Sequence, residues 1–207
     1  MRHNPRHFSD DPDLVRRLVR EHPWAIIVSS NDGDLVASHY PVMLDPVHEL
    51  ALLTHLGRPD EDVLGLADRE VLVILQGHHG YVSPSWYVNG ESQAPTWNFT
   101  AAHCTGVPEV LGEDENLQVL TDLVALFEQH VENPMWLDQD YGRRVAKGTV
   151  GLRIPIDRFV LKVKMSQDKT AESIQNVIDQ LNSPGPYRHP ALAADMQRTR
   201  DEGVGYR

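Results

Sequence analysis

The stretch from Trp24 to Leu44 constrains the fold more than any other part of the chain. Trp24-Ala25-Ile26-Ile27-Val28-Ser29 is an apolar run of strand length, and Leu35 to Leu44 is a second. Only Asn31-Asp32-Gly33-Asp34 links them, and an Asp-Gly pair supplies the left-handed residues of a tight hairpin. The two runs must therefore fold back on each other antiparallel. Pro41 cannot donate to a strand ladder, which predicts an edge or a bulge there. A second hairpin is predicted across Asp45-Pro46-Val47-His48 into Glu49 to His55. Arg69 to Gln76, with Val71-Leu72-Val73-Ile74-Leu75, reads as the most apolar and central strand. Gly77-His78-His79-Gly80 is expected to interrupt it, and Tyr81-Val82-Ser83 to resume it. Trp97 to Leu111 reads as a further strand, and Gly148 to Met165 as a final pair bent at Ile154-Pro155-Ile156.

Helical periodicity lies outside these runs. Asp11 is a candidate N-cap with Pro12 in the first turn, and Leu14, Val15, Leu18 and Val19 form one apolar face ending at Glu21-His22-Pro23. A short helix is expected within Gly57 to Ala67, with Val63, Leu64 and Leu66 facing inward. Asp114 to Glu132 reads as amphipathic through Leu117, Leu120, Leu123, Val124 and Phe127. Tyr141 to Lys147 reads as a short helix, and Ala171 to Leu181 as the last, carrying Ile174, Val177, Ile178 and Leu181. Ser85 to Pro95 is polar and turn-rich. After Ser183-Pro184-Gly185-Pro186 the tail is polar and expected to be poorly ordered. The resulting division is a folded domain over 1–182 and a polar C-terminal tail over 183–207. Strands joined by hairpins, with helices at the periphery and no βαβ alternation, give a mainly β, α+β fold class: an antiparallel barrel with helical decoration rather than a Rossmann fold.

Charge narrows the function. Nineteen basic residues stand against thirty acidic ones, a formal charge of −11 in 207 residues. Direct nucleic-acid binding needs a basic face that releases counterions. Arg16-Arg17-Arg20 and Arg143-Arg144-Lys147 are the densest basic groups, and their helical spacing reads as solvated helix faces. No apolar run approaches the roughly 18 residues that suggest a membrane span. The first residues, Met1 to Arg6, lack the apolar stretch of a secretory signal. The single cysteine, Cys104, can form no internal disulfide and no thiolate cage. A cytoplasmic location is the expectation.

Familiar catalytic strings are absent: there is no Walker A, no GxGxxG, no His-Glu-x-x-His and no Gly-x-Ser-x-Gly. As strand neighbours His78 and His79 would point to opposite faces and could ligate one ion together only if the glycines break the strand, so they read as polar histidines of a glycine-hinged loop and no metal site is expected of them. A Cys104–His103 pair fails for the same reason, and Cys104 reads as a small buried filler. Asn98-Phe99-Thr100 matches a glycosylation sequon with no secretory signal to support it. What remains is a concentration of histidine, tryptophan and small polar residues between His39 and His103, at or beside strand ends. It comprises His39, Thr54-His55 with Arg58, Gln76 with His78 and His79, Ser83-Pro84-Ser85-Trp86-Tyr87, and Pro95-Thr96-Trp97-Asn98. Strand ends converging on one rim can build a ligand site from such pieces. Aromatics offer flat surfaces, and Arg58 with Thr54 can hold a phosphate.

These strings resemble the PaiB family. Ser38-His39-Tyr40-Pro41, the run Leu75 to Tyr87 containing Gly77-His78-His79-Gly80-Tyr81-Val82-Ser83-Pro84-Ser85-Trp86-Tyr87, and Pro95 to His103 carry the likeness most specifically. Val150 to Ile154, Lys164 to Lys169 and Ile178 to Leu181 extend it over about residues 1 to 182. The resemblance implies a six-stranded, antiparallel FMN-binding split β-barrel of the pyridoxamine-phosphate-oxidase type, a homodimer with FMN at the subunit interface. It implies that Thr54, His55 and Arg58 hold the flavin phosphate, that His39 lies along the ring, and that Gln76 approaches its polar edge. Trp97, Asn98 and His103 would come from the facing subunit or the opposite rim. His79 and His103 are the candidate catalytic proton donors. Where the family pattern has an asparagine two residues after the Arg58 position, this chain has Asp60, whose charge opposes a phosphate. Two function classes follow: an FMN-dependent oxidoreductase acting on a small-molecule redox substrate, or a flavin-independent ligand-binding module, in keeping with the family's label of negative transcriptional regulator. Five histidines near the rim make haem the alternative cofactor.

Overall fold

The structure is a computed structural model that describes all residues except 2–3, 67–68, 89–90, 92–93 and 205–207. Two short elements come first, a 3-10 turn at Pro5–His7 and strand β1 at Phe8–Ser9. Helix α1, Pro12–Glu21, buries Val15, Leu18 and Val19 on one face. Strands β2, Trp24–Asn31, and β3, Asp34–Pro41, pair antiparallel from Trp24↔Pro41 to Asn31↔Asp34. Asp32 and Gly33 both take positive φ, 51° and 94°, which is what a two-residue turn requires to match the strands' twist. At Pro41 the chain changes sheets. Strand β4, Met43–Leu44, pairs not with β2 but with β5, Ala51–Gly57.

Helix α2 spans Arg58–Leu64. Leu64 and Leu66 are buried as expected; the Val63 side chain and Ala67 lie outside what is described. Strand β6 spans Val71–Val82 without a break, so the glycines of Gly77-His78-His79-Gly80 do not interrupt it. They mark instead a change of buried face: Val71, Val73, Leu75 and Gly77 point inward, but beyond them Val82 does. A 3-10 turn at Pro84–Trp86 opens the turn-rich stretch, of which 89–90 and 92–93 lie outside the described residues.

Strand β7, Thr96–Gly106, and the short β8, Glu109–Val110, replace the single strand expected to Leu111. Helix α3 is Glu113–Glu128, four residues shorter at its C-terminal end than its periodicity suggests. Its buried face is Asn116, Val119, Leu120 and Leu123, rotated from the expected one, and Phe127 is exposed. Helix α4, Gln139–Ala146, strands β9, Thr149–Pro155, and β10, Arg158–Lys164, and helix α5, Ala171–Asn182, follow the expected order. The expectation of a poorly ordered tail fails at Pro190–Asp201, which is helix α6 with Leu192, Ala193, Met196 and Thr199 buried. Residues 205–207 of that tail lie outside the described residues.

The strands form a six-stranded sheet in the order β1-β10-β7-β6-β2-β3 and a four-stranded sheet β4-β5-β9-β8. The chain clusters into two compact units, one of 1–11, 76–102 and 160–207, the other of 12–75 and 103–159. Strands β6, β7 and β10 each contribute residues to both units. Ile27, Leu52, Leu56, Leu75, Leu152 and Ile154 are sealed in the core of the second unit; Leu161, Met165, Ile174, Leu181 and Leu192 in that of the first. Among the described residues, no helix is long and apolar enough to cross a membrane.

Candidate functional site

In the unit of residues 12–75 and 103–159, β5 and the start of α2 carry three of the expected site residues. Thr54 is fully buried and donates its hydroxyl to the Pro41 carbonyl at 2.7 Å, tying β5 to the end of β3. His55 lies opposite Gly151 of β9, and its Nδ1 is buried with no hydrogen-bond partner. Burial holds the His55 imidazole below its ordinary pKa, so the ring is neutral at pH 7. Arg58 opens α2; its backbone N–H donates to Gly148 at 3.1 Å and its Nε to the Lys147 carbonyl at 3.0 Å. Its side chain lines a cavity of about 210 Å³ together with Arg143, Lys147 and the first turn of α3.

Asp60 is turned toward Tyr40, whose hydroxyl donates to its carboxylate. Burial and this bond together raise the Tyr40 pKa. His39 is exposed on β3 and stacks on Trp24 of β2 at 6.2 Å with 24° between the planes. His103 is half-buried on β7, and burial lowers its pKa. Beside it Cys104 is fully buried, with its thiol pushed up to about 12, so it is no nucleophile.

In the other unit β6 sends its two histidines apart. His78 Nδ1 pairs with the Asp195 carboxylate of α6 at 2.9 Å, while His79 stacks on Trp97 at 6.2 Å. Gln76 is exposed at the head of this stretch. Asn98 is fully buried: its Nδ2 lies 2.9 Å from Ser166 Oγ and 3.4 Å from Met196 Sδ, and its Oδ1 lies 3.2 Å from the same hydroxyl. That pairing braces Ser166, which holds a left-handed φ of 64°. A buried Asn98 also gives the sequon no accessible acceptor.

Sequence reasoning missed part of this region. Trp97, Tyr81 and His79 form walls of a cavity of about 340 Å³ completed by Tyr187, Arg188 and His189 from the tail. A signal was present: Pro190 at the first helical position, followed by Leu192, Ala193 and Met196 at helical spacing, marks a helix start.

A family model described as "Putative FMN-binding domain" matches residues 1–158. The Bacillus subtilis "Protease synthase and sporulation protein PAI 2" is 29% identical over 186 residues, covering 86% of this chain and 88% of that one. An uncharacterized protein of Emericella nidulans is 24% identical over 242 residues, covering 95% and 96%. Among solved structures, the FAD and heme binding protein from Mycobacterium smegmatis superposes with a TM-score of 0.62 at 19% identity, over 82% of this chain and 79% of that one. The flavocytochrome Anf3 from Azotobacter vinelandii gives 0.61 at 13% identity, over 76% and 69%. At such identities the likeness speaks for the fold alone: an antiparallel split β-barrel with peripheral helices.

Proposed function

Because this chain belongs to the PaiB family of FMN-binding split-barrel domains, we propose that it is a homodimeric flavoprotein with a redox role, any effect on transcription being indirect. The observation that carries the reading is the family match over residues 1–158, within which Arg58 and the unpartnered His55 Nδ1 stand three residues apart. Bound FMN would supply hydride or electron transfer between a small-molecule donor and acceptor. The residues present fit such a group. Arg58 brings a fixed positive charge to a phosphate. The neutral His55 has a buried ring nitrogen still in want of a partner, and a buried polar atom without one is costly. Asp60 would repel a phosphate, but the Tyr40 hydroxyl holds its carboxylate. Thr54 would have to release the Pro41 carbonyl before its hydroxyl could reach a ligand.

Two observations support a shared site. The cavity beside Arg58, about 210 Å³, falls below the ~300 Å³ at which pockets for whole ligands begin. The sheet face bearing His39 is apolar and open: Trp24, Ile26, Val28 and Leu35 share it with Ile74 by register, and Trp24 and Leu35 are 62% and 81% exposed. A second copy of the chain would cover that face and bring its own residues to His39.

The test is an absorption spectrum of the purified chain after FMN has been added and the excess removed. A retained two-band flavin spectrum is expected, with Arg58→Gln weakening affinity about tenfold or more. Failure to retain flavin overturns the reading. Because the Mycobacterium smegmatis relative binds both FAD and heme, a haem titration belongs in the same experiment. A sharp Soret band without flavin retention would transfer the proposal to haem.

A further inference from the structure

We propose that the C-terminal segment completes a second small-molecule site, for a planar aromatic anion such as an aryl carboxylate, against the far end of β6. The cavity there, about 340 Å³, is of ligand-pocket size, and all its lining belongs to the unit of residues 1–11, 76–102 and 160–207. Its walls are aromatic. Tyr81 and Tyr187 lie 4.8 Å apart, tilted by 35°, and Trp97 meets Tyr81 edge-on at 6.5 Å. Trp97 and Tyr187 nevertheless remain 53% and 51% exposed, so half of two large ring surfaces is left to water. Covering them with a flat ring is favourable by area and by ring geometry.

The polar end selects charge. Arg188 is anchored through its backbone N–H to Gly185 at 3.2 Å, and its guanidinium makes no hydrogen bond or ion pair among the described residues. His189 is the N-cap of α6, its Nδ1 accepting from the Leu192 N–H at 3.3 Å. With Nδ1 occupied as acceptor, the neutral ring carries its proton on Nε2 and is a donor there. Burial, with His78 and His79 nearby, lowers its pKa and keeps that neutral form. An unpaired cation and an N–H donor beside flat aromatic walls are what an aryl carboxylate requires. Residues 186–189 lie beyond the family match, which ends at 158, whereas His79, Tyr81 and Trp97 lie within it, so the site is separated from the flavin reading by titrating it with and without FMN.

Naphthoate is the probe, titrated into flavin-free and FMN-loaded protein by calorimetry and by quenching of tryptophan fluorescence. Saturable binding is expected in both forms, with Arg188→Gln and Tyr187→Ala each weakening it about tenfold or more. Both side chains are exposed, so circular dichroism and thermal unfolding should not change in either variant. Uncharged naphthylmethanol and the non-aromatic cyclohexanecarboxylate should each bind about tenfold more weakly or not at all. Binding unaltered by both substitutions, equal binding of naphthylmethanol, or no saturation with naphthoate overturns the proposal. So does one-for-one displacement of naphthoate by FMN, which would make the cavity part of the flavin site. Loss of flavin binding with naphthoate binding intact would sink the flavin reading alone.

Discussion

Asp45 shows how much one buried side chain can contribute to this fold. Its carboxylate is almost fully buried and receives Arg153 Nε at 2.7 Å, the Val47 and His48 amides at 2.8 and 3.2 Å, and His48 Nδ1 at 2.9 Å. Burial alone would raise its pKa; the Arg153 bond and the two amides outweigh burial and hold it at about 2. A depressed folded pKa means that the stabilisation is complete above the unfolded value, about pH 4, and is lost as pH falls toward the folded one. Acid titration of stability should therefore show a loss on the order of 2 kcal/mol over that window, and Asp45→Asn should flatten it. An unchanged acid limb in the variant would contradict the assignment. The histidines make a second residue-scale prediction. If His79 or His103 passes a proton to reduced flavin, its replacement by alanine should slow flavin reoxidation and spare FMN affinity; unchanged kinetics in both variants would refute this. The strings that carry the family likeness made these positions legible, but not which side chains are already taken. Asn98 sits in a specific string and Thr54 is a role the family likeness implies, yet their hydrogen bonds go to Ser166 and Met196 and to Pro41, partners 13 to 98 positions away in sequence.

At the scale of elements, hairpin chemistry was the most legible because it is local: Asp32-Gly33 sets its own turn. Continuity of β6 was not, since glycine lowers strand propensity and only pairing with neighbouring strands overrides it. The face of α3 was misjudged for a related reason. Asn116, a polar residue, is buried there because its amide donates to the Ala146 and Thr149 carbonyls at 3.1 and 3.2 Å, and because Gly151 leaves room for its Cα. No periodicity argument on apolar residues could weigh that. Two strand glycines separate fit from propensity. A Cβ on Gly106 would fall 1.8 Å from the Pro155 carbonyl oxygen, a backbone atom that cannot give way without moving β9. On Gly57 it would meet nothing within 4 Å. Gly106→Ala should therefore destabilise by about 3 kcal/mol or more. Gly57→Ala should be neutral or stabilising by up to about 1 kcal/mol, because alanine loses less chain entropy. Denaturant midpoints of the two variants decide it; equal shifts would mean that strand propensity rather than close packing governs both sites.

For the whole molecule the decisive question is whether cofactor and assembly are one property. The open face of β2, β3 and β6 puts Ile26 opposite both His39 and Ile74, in the middle of an apolar surface. A stable dimer needs about 800 Å² per partner, and a sheet face capped by residues as exposed as Trp24 and Leu35 is a natural source of it. Burying a carboxylate in that face without a partner charge costs several kcal/mol, enough to dissociate a micromolar dimer. In one copy of the chain Val28, opposite Ala37 and Leu72, and Ile74 are only half-buried, so Val28→Asp or Ile74→Asp should leave the monomer folded by circular dichroism. Val47→Asp, at an 83% exposed turn position, is the control and should change nothing. Sedimentation and flavin retention measured together should then move together: the sheet variants run as monomers and release FMN, while the control stays dimeric and loaded. A folded monomer that keeps its flavin would confine the site to one subunit and assign the whole phosphate grip to His55 and Arg58. A wild-type chain already monomeric at micromolar concentration would remove the reason for the open sheet face, and with it the shared site.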